Sequence, residues 1–210
     1  MKQLTNYQRV TNYLVKVFKL INQEYFDNSL EIPTITIQSK AGTFGHVSVH
    51  KIWYNLENAS HELNVCSDYL NRPIENIVAT LIHEGCHLYA IQNGIKDTSN
   101  HGSYHNKRFK ELAEARALHI SKHPKYGWTL TEPTDELIEF CVANSLEDIQ
   151  LCRQSDFSFG TVSGGNKSGT MIRTSSTRKY ICQCCGNSFR ATKSINVLCM
   201  DCQIPFIVAS

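Results

Sequence analysis

The sequence predicts an α+β core followed by a small metal-bound appendage. Two long segments carry apolar residues at helical spacing, and three short β-branched segments follow one another with no helix between them. Two Cys-x-x-Cys pairs stand near the end of the chain. A length of 210 residues accommodates one ordinary domain and a small addition, not two full-sized domains.

The first helix is expected over YQRVTNYLVKVFKLINQEYF, where Val10, Leu14, Val17, Phe18 and Ile21 share one face and Tyr25 lies a turn further on. Pro33 breaks the pattern. TITIQ (34–38) alternates and is rich in β-branched residues, so it is a strand. AGTFGHVSVHKIWYN supplies a glycine-marked bend and a second strand, and HELNVC (61–66) is a third. Together they suggest a small antiparallel or mixed sheet of three or four strands packed on helices. The second helix is the clearest in the chain. Pro73 stands near its first position, where the missing amide is harmless, and Ile74, Ile77, Val78, Leu81 and Ile82 recur along it before Gly94 closes it. After the linker IKDTSNHGSY, the segment HNKRFKELAEARALHISK reads as a third helix. PTDELIEFCVANSLEDIQLC reads as a fourth, capped by Thr134 or Asp135. The composition then turns to Ser, Gly and Thr, so the chain divides into a core at 1–152, a flexible linker or hairpin at 153–179 and an appendage at 180–210.

Composition narrows the class. The 41% apolar and 19% charged content is that of a soluble globular protein. No run approaches the roughly 18 apolar residues of a membrane helix. The N-terminal segment lacks the apolar core and cleavage site of a signal peptide, which predicts a cytoplasmic protein. Five of the nine cysteines cluster between 182 and 202, while Cys66, Cys86, Cys141 and Cys152 are scattered in apolar surroundings. That fits metal ligands plus buried thiols better than disulfides. Residues 1–152 carry a net charge of −3 and residues 153–210 a net of +5, so a basic tail makes nucleic acid a candidate partner.

The chemistry concentrates in TLIHEGCHLYA (80–90). On a helix His83 and His87 lie one above the other and can present two imidazoles to one Zn²⁺. Glu84 lies one position round, within reach of a metal-bound water. A catalytic zinc needs a third protein ligand and an open position. His101 and His105 are both candidates, and spacing alone does not choose between them. Cys86 points away from the line joining the histidines and reads as packing. Tyr104 and His101 are candidates to touch substrate or transition state.

TLIHEGCHLYA followed by GSYHNKRFKELAEA resembles the SprT-like family of zinc metallopeptidases, which includes the eukaryotic Spartan proteases acting on DNA–protein crosslinks. HELNVCSDYLNRP resembles the family's third strand and its lead-in to the catalytic helix, and the likeness runs from about residue 5 to 120. The resemblance implies a zincin-like metallopeptidase core, with His83 and His87 as zinc ligands and Glu84 as catalytic acid/base. It also implies His105 as the third ligand, Phe109 marking the H-x-x-x-F segment.

In the tail, Cys182-x-x-Cys185 and Cys199-x-x-Cys202 have the spacing of a structural Cys₄ zinc ribbon, with Cys184 left over. Many SprT-like proteins end in such a ribbon, usually with a proline where Gln183 stands here. Arg190, Lys193 and Phe189 are candidate nucleic-acid contacts. The expectation is a monomeric zinc endopeptidase, with one catalytic and one structural Zn²⁺, a protein or peptide substrate and weakly specific DNA binding. The alternative is a nucleic-acid-associated regulatory zinc protein with little or no proteolysis.

Overall fold

The computed structural model describes residues 3–154, 178–191 and 194–208. The chain divides into two compact units, Met1–Phe159 and Gly160–Ser210. Residues 155–177 of the expected linker lie outside the described residues, as does Lys193.

The first unit opens with α1 (Tyr7–Phe26), β1 (Thr34–Gln38), β2 (Gly45–Val47), β3 (Trp53–Tyr54), β4 (Ala59–Ser60) and β5 (Glu62–Cys66). It continues with α2 (Ile74–Gln92), β6 (Thr98–Ser99), β7 (Tyr104–His105) and α3 (Lys107–Glu114). It ends with β8 (Leu118–His123), β9 (Gly127–Pro133) and α4 (Asp135–Ala143). These strands form a mixed sheet in the order β1-β5-β2, the hairpin β3-β4, and a sheet in the order β6-β7-β9-β8.

Helix α1 is capped by the Asn6 side chain, which accepts from the Gln8 amide, and ends at Asp27 in the left-handed conformation. Its buried stripe is Val10, Leu14, Val17, Phe18 and Ile21, the face its periodicity specifies. Strand β5 is buried along its whole length, with β1 parallel on one side and β2 antiparallel on the other. Asn64 sits in the middle of β5, and its Oδ1 accepts from the Gln38 amide at 2.8 Å and the Thr36 hydroxyl at 3.2 Å. That satisfies a polar side chain that is otherwise fully buried. Helix α2 runs through the centre of the core, packing Ile77, Leu81, Ile82 and Leu88 with α1, β5 and Leu137 of α4. Each such side chain contributes roughly 1.5–3 kcal/mol by leaving water.

Strand β2 lies close against α2. A side chain at Gly45 would bring its Cβ within 3.0 Å of Thr80 Cγ2 and 3.3 Å of Glu84 Cγ, so glycine there lets the sheet edge reach α2.

The third helix is shorter than its pattern predicts. It stops at Glu114, and Leu118–His123 form β8, paired antiparallel with β9, a strand the sequence reading did not include. Ala117 at φ 56 turns the chain out of the helix, and Leu118 and Ile120 are buried around exposed His119, a period of two. The fourth helix likewise ends early, at Ala143, before Ser145 at φ 50.

The second unit contains β10 (Arg178–Ile181), β11 (Ser188–Ala191) and β12 (Ile207–Val208), in the order β11-β10-β12. Tyr180 stacks on Phe189 at 5.1 Å, and Phe206 meets Phe189 edge-on at 5.0 Å. The two cysteine knuckles share one construction. The Cys182 carbonyl accepts from the Gly186 amide at 2.9 Å and the Cys199 carbonyl from the Gln203 amide at 2.8 Å.

Gly127 joins fold to site. Its φ is +74, and an added Cβ would collide with the His105 carbonyl oxygen and press to 2.9 Å on the Tyr104 ring. Gly127→Ala should therefore lose about 2 kcal/mol or more, from left-handed strain plus overpacking. A urea unfolding titration against the wild type measures it, and an unchanged midpoint would contradict this role for Gly127.

Candidate metal centre and catalytic cleft

Helix α2 presents His83 and His87 one turn apart, and the chain returns through β6 and β7 to bring His105 opposite them. Asn106 caps α3 by accepting from the Arg108 and Phe109 amides, which fixes His105 just ahead of that helix. His105 is further held by its own amide, which donates to the Tyr126 carbonyl at 2.9 Å. Phe109, one turn into α3, packs against all three imidazoles, with ring centroids 4.5 Å from His83 and 4.6 Å from both His87 and His105. The sequence marker thus has a physical role as the floor of the histidine cluster.

Neighbouring side chains determine which imidazole nitrogens are free. The Thr131 hydroxyl donates to the Thr129 carbonyl at 3.2 Å, so it accepts from His83 Nδ1–H at 2.8 Å. The Asp97 carboxylate accepts from His87 Nδ1–H at 2.5 Å. Both rings therefore turn an Nε2 lone pair toward His105 Nε2, which lies 3.3 Å from His83 Nε2 and 3.0 Å from His87 Nε2. A single ring proton cannot satisfy lone pairs arriving from two sides. Burial holds His83 well below the ordinary histidine range and His105 down to about 4, with the neighbouring imidazoles adding to both shifts. Burial thus keeps His83 and His105 neutral, and the three rings converge on a point that suits a cation. Tetrahedral ligands about 2.1 Å from a common zinc lie roughly 3.4 Å apart, close to these separations. His83, His87 and His105 form one metal-ligand cluster.

Glu84 is buried at 6% exposure beside this cluster. Burial raises its carboxyl to about 7, opposed by the His87 side chain and a hydrogen bond from the Val47 backbone. A carboxyl poised there can take up and release a proton near neutrality.

Residues 14–124 match the family model described as the SprT-like family. The chain belongs to the SprT-like family. Neither the curated proteins nor the solved structures give a significant match. Together with the histidine cluster, membership makes the chain a zinc metallopeptidase. Among the described residues no helix is long and apolar enough to cross a membrane.

The SprT-like core opens a cleft over Glu84 in two lobes, one of about 860 Å³ and one of about 490 Å³. Val47, Val49, Ile91 and Ile95 give the larger lobe an apolar wall, with Lys40 and Lys96 at its edge. His101 lies exposed in a turn at φ 54, and half-buried Tyr104 packs beneath Gly127. Neither lines the cleft. Tyr126 lines both lobes instead, where they meet over His83 and Glu84. Cys86 is fully buried, its thiol donates to the Leu112 carbonyl at 3.8 Å, and burial pushes it up to about 12, as suits a packing residue.

The second cluster is Cys182, Cys185, Cys199 and Cys202. Cys185 and Cys199 sulfurs stand 3.7 Å apart, against roughly 3.8 Å for thiolates at 2.3 Å from a tetrahedral zinc. Cys184 is exposed and outside the quartet. The chain thus carries one catalytic and one structural zinc site. Phe189 and Arg190 are neighbours on β11 and so point to opposite faces, Phe189 toward Tyr180 and Phe206.

Sequence reasoning missed Asp97, Thr131 and Tyr126. Asp97 had the one usable signal, a carboxylate in the loop directly after the two-histidine helix. Because Asp97 orients His87 through its Nδ1–H, Asp97→Ala should weaken zinc binding about 10- to 100-fold. Competition with a chromophoric chelator measures this, and unchanged affinity would remove Asp97 from the site.

Proposed function

We propose that the chain is an endopeptidase whose catalytic zinc is held by His83, His87 and His105, with Glu84 as general base. The observation that carries this reading is the buried Glu84 carboxyl beside three bare imidazole nitrogens on the floor of an open cleft. Zinc bound there supplies Lewis acidity toward a water and the scissile carbonyl. Glu84 accepts the water's proton and returns it to the leaving amine, a transfer suited to a carboxyl near 7. Thr131 and Asp97 keep the His83 and His87 rings in the ligating tautomer throughout. Tyr126, which lines both lobes, is a candidate to donate to a developing oxyanion. Glu84→Gln should keep zinc, read by elemental analysis, while cleavage of an unfolded protein falls at least about 100-fold. Retained cleavage would sink the assignment.

The substrates we propose are proteins held on DNA, reached through the Cys182/Cys185/Cys199/Cys202 ribbon. Lys179 and Arg190 support this. They are directly opposed across β10 and β11, exposed, and without a carboxylate partner among the described residues. Like charges so placed repel unless an anion lies over them, and a phosphate backbone is such an anion. No reading helix accompanies them, so binding would be largely independent of sequence. Lys179→Ala with Arg190→Ala should lower the slope of log affinity against log salt for single-stranded DNA by about 1.4. An unchanged slope would place DNA contact elsewhere.

A further inference from the structure

The smaller lobe contains a cation that the proteolytic machinery does not use. Arg72, half-buried just before α2, lines this lobe together with Asn76, Thr80, His83 and Glu84. Its guanidinium is held on three sides. Nε donates to the Tyr69 carbonyl at 2.9 Å, Nη2 donates to the Thr80 hydroxyl at 3.0 Å, and the Phe44 ring lies beneath it at 4.1 Å. Phe44 is itself braced edge-on by Tyr69 at 5.0 Å. The Thr80 hydroxyl gives its proton to the Asn76 carbonyl at 2.9 Å, so it stands toward Arg72 as an acceptor only.

What this arrangement lacks is a counter-charge. No carboxylate lies within ion-pair distance of Arg72 among the described residues, and Nη1 has no partner among them. Withdrawing a cation from water without pairing it costs free energy, and a rigid guanidinium fork matches a carboxylate in shape and charge. The Asn76 side-chain amide, also without a partner among the described residues, lines the same lobe. Glu132 and His123 stand on the lobe as well, but Glu132 is exposed and its repulsion is screened by solvent and salt. Thr80 is one helical turn, about 5.4 Å, before Glu84. Arg72 and Glu84 line the same lobe, so a group bound to Arg72 shares it with the general base.

We propose that the smaller lobe is a subsite for a substrate carboxylate, with Arg72 as its specificity-determining group and Asn76 as a second donor. The proposal rests on the peptidase reading of the cleft. It makes the preferred cleavage sites those with an acidic group beside the scissile bond.

The test uses the zinc-loaded full chain and a set of quenched fluorescent peptides. Each carries Glu or its isostere Gln at one position around the cleavage point, with either a free or an amidated C-terminus. At one position Glu should raise kcat/KM at least about tenfold over Gln, the scale of a charge-assisted hydrogen bond. In Arg72→Gln that ratio should fall toward one. A rate advantage of the free over the amidated terminus, lost in Arg72→Gln, would assign the lobe to a chain terminus, and a Glu preference that persists on amidation would assign it to an acidic side chain. Equal kcat/KM for Glu and Gln at every position, together with equal kcat/KM for free and amidated termini, overturns the proposal, as does a preference that survives in a folded Arg72→Gln. Should Arg72→Gln not fold, the Glu/Gln comparison on the wild type decides alone. Affinity measured by fluorescence anisotropy on zinc-loaded Glu84→Gln separates this subsite from turnover. There a tenfold tighter Glu peptide supports the subsite even if nothing is cleaved, while cleavage of none of the peptides would count against the peptidase reading alone.

Discussion

The structure turns on bringing three imidazole nitrogens together inside a protein, with His105 Nε2 3.3 Å from that of His83 and 3.0 Å from that of His87. Left to itself such a cluster would reorganise, because each nitrogen would seek a proton or a donor. The neighbours remove those options. Asp97 and Thr131 occupy the outer nitrogens of His87 and His83, burial opposes protonation of His83 and His105, and Phe109 fills the space beneath all three rings. Each partner belongs to a different piece of chain, so β9, the loop after α2 and the start of α3 must all be in place together. The sheet containing β7 and β9 is therefore best understood as a bracket for the site. Its parallel contact pairs His105 with Gly127 and so sets where the third imidazole lies.

A preformed site of this kind has a cost in the metal-free chain. Glu84 is raised to about 7 by burial, above the usual carboxylate range, so its ionised form is disfavoured in the folded core. For this group folded-state proton affinity exceeds that of the unfolded chain, and its contribution to stability is lost as pH rises through 7. His83 and His105 act in the opposite sense, since burial lowers them and their penalty applies at acid pH. The extensive apolar core around α1, α2 and β5 can offset these penalties. The ribbon has no comparable reserve. Tyr180 is buried, Phe189 is half-buried, and much of the remaining apolar surface, including Met200 and Val208, is exposed. The two units therefore use metal differently. In the core it completes chemistry on a scaffold that stands by packing, and in the ribbon its binding energy is folding energy.

These differences explain what the sequence made legible. His83, Glu84 and His87 stand out because a helix turns spacing into geometry, and the ribbon stands out because paired cysteines have few other uses. The buried stripe of α1 follows from periodicity for the same reason. His105 could not be separated from His101 by spacing, since a loop has no period, and only the resemblance to a family favoured it. Asp97 and Thr131 were invisible because their roles depend on which chain segment folds back over α2, a matter of tertiary arrangement. The stretch from Ala115 to His123 was misread because Ala-Leu-His-Ile also satisfies a helical pattern over one turn. What ends the helix is Ala117 at φ 56, a conformation its side chain does not announce.

The cleft shows how one helix can serve both the reaction and the choice of substrate. Along α2, Thr80, His83, Glu84 and His87 fall within two turns, and β2 is pressed against them at Gly45, where even a methyl group would crowd Thr80 and Glu84. Because the sheet edge and the helix are this close, a chain crossing Glu84 has little lateral freedom, and the groups it meets on either side are fixed. On one side the wall is apolar, with Val47, Val49, Ile91 and Ile95. On the other it is cationic and aromatic, with Arg72 braced by Phe44 and Tyr69. Apolar contacts discriminate weakly, since a methylene changes binding by only about 1 kcal/mol. A half-buried guanidinium discriminates more sharply, because a neutral group placed there leaves the charge unpaired. Selectivity at this site should therefore come mainly from the Arg72 side, while the apolar side contributes general affinity for extended polypeptide.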